Sequence, residues 1–305
     1  MIAKEWRDAR WKLLLGVLAF LVLLPLTIKS YEAIQEDIAF QLKMMQGDMQ
    51  EPETFAGPMS EAESKEYIAD TREQLRDMQS PGFAEEVAYS ELSDTTTYLN
   101  LLVLVSLAGL LGVGLISSEV GGGSILLLLS KPLSRGRIMM TKYTVCAACL
   151  LVVAVFGGIS AILYAYARGY PSQSVQVTQI LTSTTLIWLA SLFVLGVALI
   201  ASIIFRDVVV TLVATVAAMF VILAGPELLR ALAEWIIWGD RIYQMDFRTM
   251  PSWYKAFDYF QLTTYWTGFG PYSGQTLFAQ SFVVCLVTAL ATLLLALWLF
   301  RRKTY

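Results

Sequence analysis

A few groups of residues in this sequence have types and spacings that could do chemistry. Cys146 and Cys149 have the C-x-x-C spacing of redox and metal sites. Gly121-Gly122-Gly123-Ser124 could cradle a phosphate in its backbone amides. Glu227, just after Gly225-Pro226, would be a functional acid if it lay inside a bilayer. Glu119 opens a stretch that carries Lys131, Arg135, Arg137 and Lys142. The chain has no histidine, so His-based triads, His-assisted zinc hydrolysis and haem ligation through His are excluded at once.

The first three weaken on inspection. The cysteine pair has no second pair, histidine or nearby cation to lower a thiol pKa, so it reads as two small hydrophobes on one helix face. Cys285 is likewise alone. A P-loop needs Gly-x-x-x-x-Gly-Lys-Ser/Thr after a strand, and Gly-Lys-Ser/Thr occurs nowhere in the chain. If ATP drives the process, another polypeptide must bind it. Glu227 sits about 20 residues from the start of its apolar run, which places it at an interface near Arg230.

The elements that would position these residues are set by hydropathy. Of 305 residues, 56% are hydrophobic and 15% charged, against about 25% charged in soluble domains. Mean hydropathy is +0.59. The apolar residues form six runs long enough to cross a bilayer as helices, at 11–28, 97–116, 143–165, 180–205, 208–229 and 276–300. The first has the basic flank of a signal peptide in Lys4, Arg7, Arg10 and Lys12. No small-x-small cleavage pattern follows, however, and Trp11 and Lys12 read as interfacial anchors, so this span is expected to be retained.

Basic residues orient the spans. Those before span one, Lys131 to Lys142 between spans two and three, Arg206 between four and five, and Arg301, Arg302 and Lys303 after six all fall on one side, which is the cytoplasm. The other side receives 29–96, where 16 Asp and Glu outnumber Lys and Arg at 29, 43, 65, 72 and 76. The expected fold class is therefore an all-α membrane protein with six transmembrane helices and both termini cytoplasmic.

Outside the bilayer, Ile2, Trp6 and Ala9 are at helical spacing within residues 1–10, as in an elbow-like helix lying on the membrane surface, with a frayed charged terminus as the alternative. Ile34, Ile38, Leu42 and Met45 mark one face of a helix ending near Gly47. Ser60 with Glu63 opens a second that stops near Ser80-Pro81-Gly82. Together they predict a helical extracytoplasmic hairpin over 29–96, whose charged face is solvated by default. The segment 230–275 is dense in aromatics. Gly225-Pro226 should break the fifth span. Glu227 follows, and Trp235 and Trp238 lie in a run, 234–239, too short to span but apolar enough to re-enter the outer leaflet or lie along it, either as a lid over an exit path or as an aromatic belt that only anchors the chain. Gly109, Gly112, Gly114 and Gly157-Gly158 are sites of close helix approach or of bending. Asn100, Thr178 and 182–185 could line an exit cavity or make interhelical hydrogen bonds.

The informative stretch is Ser118-Glu119-Val120-Gly121-Gly122-Gly123-Ser124, then Ile125 and four leucines, then Ser130-Lys131-Pro132-Leu133-Ser134-Arg135-Gly136-Arg137-Ile138, and Lys142. Glycines end span two, one or two apolar turns follow, and Pro132 ends those. A short exposed apolar helix in a basic loop needs a protein partner, because burying each Leu is worth about 1.5 to 3 kcal/mol. This pattern of Glu, Gly, a Leu-rich turn, Ser-x-Pro-x-Ser-Arg, Ile and Lys resembles the permeases of ABC-2 type transporters, in particular bacterial members with a separate ATPase chain. The resemblance implies a type V exporter-like architecture and a cytoplasmic coupling loop over 117–142 that seats in the ATPase subunit. By it, Glu119, Gly122, Ser124, Leu126, Leu128 and Leu129 would form the contact, with Pro132, Ser134, Arg135, Arg137 and Lys142 on the return into span three.

The resemblance also implies partners and place: an ABC ATPase subunit that carries the ATP and Mg, a second permease copy in a homodimer or heterodimer, membrane lipid, and the cytoplasmic membrane of a bacterium or archaeon. No cofactor, metal or nucleic acid is expected on this chain. The expected function is an exporter subunit working by alternating access, itself not an enzyme, with an amphipathic substrate favoured by an apolar lining. The same fold could act instead as a mechanotransmitter on an extracytoplasmic partner. An intramembrane lipid-modifying enzyme would need paired polar catalytic groups at one depth in the spans, and these are absent.

Overall fold

The structure, a computed structural model, describes residues 2–50, 61–80, 82–123, 134–172, 177–238, 262–267 and 278–303. Among these residues ten helices follow in order: α1 Ile2–Thr27, α2 Tyr31–Gln50, α3 Glu61–Met78, α4 Phe83–Val113, α5 Ser117–Gly121, α6 Arg135–Ala167, α7 Val177–Ile204, α8 Val208–Trp238, α9 Leu262–Thr267 and α10 Phe278–Arg302. There is no strand among the described residues. Among the described residues six helices are long and apolar enough to cross a bilayer. Away from its ends a helix pairs its backbone groups internally, which is what a lipid surround demands.

The bundle is built around α7, which touches α4, α6, α8, α9 and α10. In its most apolar stretch 78% of residues are buried, against 17% in α8 and 22% in α10. Its sequence explains this place. Ala190, Ser191, Ala198, Ala201 and Ser202 are small and buried, so neighbours can approach from every side. The peripheral helices turn large apolar side chains outward, among them Leu18, Val213, Phe220 and Leu294, and lipid is the solvent those residues suit.

Two glycines set close crossings. A Cβ on Gly112 would lie 2.5 Å from Ala198 Cβ, so α4 and α7 meet almost backbone to backbone. One on Gly157 would lie 2.5 Å from Asn100 Oδ1 and 2.7 Å from Phe20 Cζ, where α1, α4 and α6 converge. Of the two roles open to these residues, close approach is the one realised. Asn100 is fully buried there and donates from Nδ2 to Thr184 Oγ1 at 3.4 Å. Thr182, Ser183 and Thr185 donate to carbonyls of their own helix. At this contact Asn100 and Thr184 tie α4 to α7.

At the end away from α5, α2 packs on α3 and both pack on α4. Ile34 and Ile38 are buried and Leu42 is half-buried against the core, as their spacing predicts. The helix over Glu61–Met78 starts and stops beside the turn signals. Gly82 adopts φ 98°, a left-handed value that suits glycine, and α4 starts directly after it. That helix has 31 residues, about 46 Å, so its first turns stand beyond the apolar run at 97–116.

Three expectations need correction. No break separates residues 1–10 from the first span: α1 is one helix of 26 residues. Nothing between Trp6 and Trp11 stops a helix, and Ala9 is buried in the core. A separate surface helix is therefore not seen. Second, Gly225-Pro226 does not end the fifth span, because α8 runs through it to Trp238. Proline removes one amide donor, whereas ending the helix beside lipid would strip several backbone groups of partners. Third, the run at 234–239 does not re-enter: its residues through Trp238 complete α8, and Trp235 is 70% exposed. Among the described residues between α8 and α10, α9 packs into the bundle against α7 and α10. Trp266 is buried against Phe193, with ring centroids 6.1 Å apart, and Phe193 lies about 24 Å along α7. Cys285 Sγ donates to Tyr265 O at 3.8 Å from the other side.

Candidate functional site

The bases of the 117–142 loop are held by a buried cluster of charges. At the end of α4 the helix breaks at Gly114 and restarts as α5. Ser202 of α7 satisfies the break: its Oγ accepts from Ile116 N at 3.0 Å and Ser117 N at 2.9 Å, and donates to Val113 O at 3.0 Å. The break turns Glu119 inward, leaving the residue 9% exposed. On the returning strand of the loop Ser134 caps α6 by accepting from Arg137 N at 3.3 Å. Two turns later Lys142 points into the same place, 3% exposed.

Lys142 Nζ lies 2.9 Å from Glu119 Oε1 and 3.1 Å from Glu5 Oε1, which comes from α1. One ammonium thus faces two carboxylates, and each carboxylate side chain is 11% exposed. Beside them lies a cavity of about 400 Å³ whose walls include Lys12, Ser118 and Cys146. Lys12 Nζ donates to Leu110 O at 2.8 Å, so α1 is tied to the last turn of α4 as well. Two charges removed from water are worth holding only in good geometry, and breaking one such contact leaves an uncompensated buried charge. The arrangement is a mechanical junction between α1, α5 and α6. Nothing in it is a nucleophile poised beside a base: Cys146 is 4% exposed and buried with Cys149 in the core. Among the described residues no group of three His, Cys, Asp or Glu could hold a metal ion.

The chain leaves the junction at Gly123, whose φ of 70° requires glycine. Gly122 caps α5, donating its N–H to Ser118 O at 3.1 Å. Residues 124–133 then lie outside the described residues, and with them Ser124, Leu126, Leu128, Leu129 and Pro132. The chain reappears at Ser134 and Arg135, whose Nη1 donates to Lys303 O at 2.6 Å.

A family model described as ABC-2 family transporter protein matches residues 1–304. The chain belongs to the ABC-2 transporter family. No curated protein matches it. The similarity carried by residues 118–142 thus extends over the whole length of the ABC-2 chain. It is a multi-pass membrane component of transport and not itself a catalyst.

Within this ABC-2 protein the predicted site residues divide. Glu119 and Lys142 are brought together, Ser134 and Arg135 are placed at the loop's return, and Arg137 is exposed. Trp6 is 45% exposed, whereas the side chains of Ile2 and Trp238 lie outside the described residues. Gly225, Pro226, Glu227 and Trp235 share α8, where an added Cβ on Gly225 would meet nothing within 4 Å. They lie on one continuous helix, with no turn between Gly225 and Trp235. Glu5, Lys12 and Ser202 complete the junction without any spacing signal in the sequence. The available hint is that Lys142 and Lys12 each sit at the edge of an apolar run, where a cation needs a partner.

Proposed function

We propose that this chain is the membrane-spanning permease subunit of an ATP-driven ABC-2 exporter, with the 117–142 loop as the contact for a separate ATPase subunit. The observation that carries the proposal is the Glu119–Lys142–Glu5 junction. Both roots of the loop are fixed to α1, α4 and α6 within a few ångströms, so a push on the loop moves those helices as one body. The Leu-rich sequence at 124–129 is what the ATPase would bury. ATP and Mg belong to that partner, since no Gly-Lys-Ser/Thr occurs here.

The distribution of Lys and Arg supports a cytoplasmic position for the loop's end of the bundle, with α2 and α3 on the other side, and the family resemblance supports the cytoplasmic membrane of a bacterium or archaeon as its place. A second permease copy, identical or related, completes the translocation path, and alternating access moves an amphipathic substrate outward. A mechanotransmitter is the second reading. It is favoured by the α2–α3 layer with its excess of acid, which stands clear of the apolar spans as a surface for an outer partner.

The test is to ask whether a neighbouring gene encodes a P-loop ATPase chain, and to co-purify that chain with this one, repeated with Leu126→Asp and Leu128→Asp. Loss of the complex with the permease still folded is the expected result, and an unchanged complex overturns the coupling assignment. Stimulation of ATPase activity in lipid nanodiscs by a panel of amphipathic compounds separates export from mechanotransmission.

A further inference from the structure

The cavity beside the junction continues into the bilayer-facing side of the bundle. One face of α1 carries Glu5, Ala9, Lys12, Gly16, Ala19 and Leu23, at i, i+4, i+7, i+11, i+14 and i+18. The first three line the cavity of about 400 Å³, together with Glu119 and Lys142. The last three line a second hollow, of about 230 Å³, between α1 and α4. Lys12 stands where the two meet. It is part of the wall of the first, and its Nζ donates at 2.8 Å to the carbonyl of Leu110, which lines the second.

The two hollows differ in chemistry. Both signs of charge wall the first, in Glu5, Glu119, Lys12 and Lys142. The second is apolar except for the hydroxyl of Ser106, an exposed residue about 6 Å from Leu110 along α4. Gly16 is its floor: an added Cβ would come 3.0 Å from Leu107 Cδ2 and 3.1 Å from Val153 Cγ1, so α6 closes the back. Leu15, Leu102 and Leu110 form exposed rims, and the groove between them opens onto a surface that suits lipid.

Along α1 from the loop's end, the order is a carboxylate at Glu5, an ammonium at Lys12 about 10 Å further on, then the level of Ser106, then hydrocarbon as far as Leu23. An ethanolamine phospholipid presents the complement in the same order: ammonium, phosphate, ester and acyl chain. Lys12 gives one of its three N–H donors to Leu110 O, and among the described residues no carboxylate lies within ion-pair distance of it. Glu5 shares the Lys142 ammonium with Glu119, and a carboxylate has acceptor sites enough for a second ammonium. A choline headgroup has no N–H to offer there, and a glycerol headgroup has no cation. From Lys12 to Leu23 α1 rises about 16 Å, one leaflet's share of a bilayer core of about 30 Å. We propose that the cavity and the groove form one site for an ethanolamine phospholipid, with its headgroup between Glu5 and Lys12 and an acyl chain between α1 and α4. The site needs neither an ATPase nor a translocated substrate, so it stands or falls apart from the transport reading.

The experiment is native mass spectrometry of the full chain in detergent, titrated with phosphatidylethanolamine, phosphatidylcholine or phosphatidylglycerol of the same acyl chains. Phosphatidylethanolamine should bind about tenfold more tightly than either of the others, the worth of one hydrogen bond to a charged group. Lys12→Gln should weaken all three about fivefold, since each carries the phosphate, and keep their order. Ser106→Phe fills the groove from an exposed position, on which folding does not depend, and should weaken all three at least as much. The control Val213→Phe puts the same ring on the exposed face of α8 and should change nothing. Equal affinity for the three lipids would overturn the headgroup assignment, and a Ser106→Phe protein that binds like Val213→Phe would overturn the groove. Loss of a dimer mass in lipid-free Ser106→Phe would make a second copy of the chain the occupant and overturn the lipid proposal.

Discussion

Glu5 and Glu119, from α1 and α5, share a single ammonium: Lys142 Nζ stands 3.1 Å from one carboxylate and 2.9 Å from the other. The contact makes the N-terminal helix part of the loop's foundation. It also makes the three charges interdependent, since each is nearly closed off from water.

Replacing Lys142 with Met leaves two carboxylates buried together without their cation. The expected cost is about 3 to 5 kcal/mol, read as a large fall in thermal midpoint in detergent. The triple variant Glu5→Gln, Lys142→Met, Glu119→Gln removes all the charges and should recover most of that stability. If the triple variant is as unstable as the single one, the junction is not held by its ion pairs.

Ser202→Ala tests the break between α4 and α5. It strips the buried amides of Ile116 and Ser117 of their acceptor, and each unsatisfied group costs about 1 to 3 kcal/mol. Because the break aims Glu119, this variant should also weaken ATPase co-purification, whereas a serine within one helix, such as Ser191→Ala, should not. Ser191 donates only to Trp188 O of its own helix, at 2.6 Å.

Gly112→Ala asks whether the α4–α7 crossing can widen. Both the new methyl and Ala198 Cβ are short and rigid, so the strain falls on the backbones, at a cost of about 1 to 3 kcal/mol. Gly109→Ala, with nothing within 4 Å of the added atom, should be neutral or slightly stabilising. Thermal unfolding of the pair in one detergent decides the matter, and equal effects would contradict the crossing.

At the opposite end Lys29 lies 3.1 Å from both Glu91 and Asp37 and is 49% exposed. The hydrogen bond to Glu91 above all, then that to Asp37, raises its pKa. A cation with a raised folded-state pKa adds stability that is fully present below its unfolded value of about 10.4 and is lost as pH climbs through the folded value. Lys29→Met should therefore cost under about 1 kcal/mol at neutral pH. The difference should shrink in high salt and vanish in strong alkali. A difference that persists above the folded pKa would assign the effect to packing.

Periodicity and length made most of the architecture legible. The stripe from Ile34 to Leu42 and the six apolar runs reappear as helices because burial and lipid both reward one-dimensional patterns. Pro226 misled because its local preference is weaker than the need of a lipid-facing backbone to keep its hydrogen bonds. The helix α9 could not be read from Leu262–Thr267, six residues with no period of their own that are placed by what α7 and α10 offer them. At the site, Glu119 and Lys142 were visible as members of one loop. Their pairing with Glu5 was not, since only the packing of α1 on α6 brings that carboxylate near.

The central place of α7 bears on the order of synthesis. Its small, inward-facing surface is made to meet α10, which leaves the ribosome well after it, so α7 must wait in the membrane with one flank unmatched until α10 arrives. Lys303, which closes the end of α7, arrives later still. A chain stalled before α10 would therefore present that flank to the quality-control proteases of the membrane, and completion of the bundle hides it.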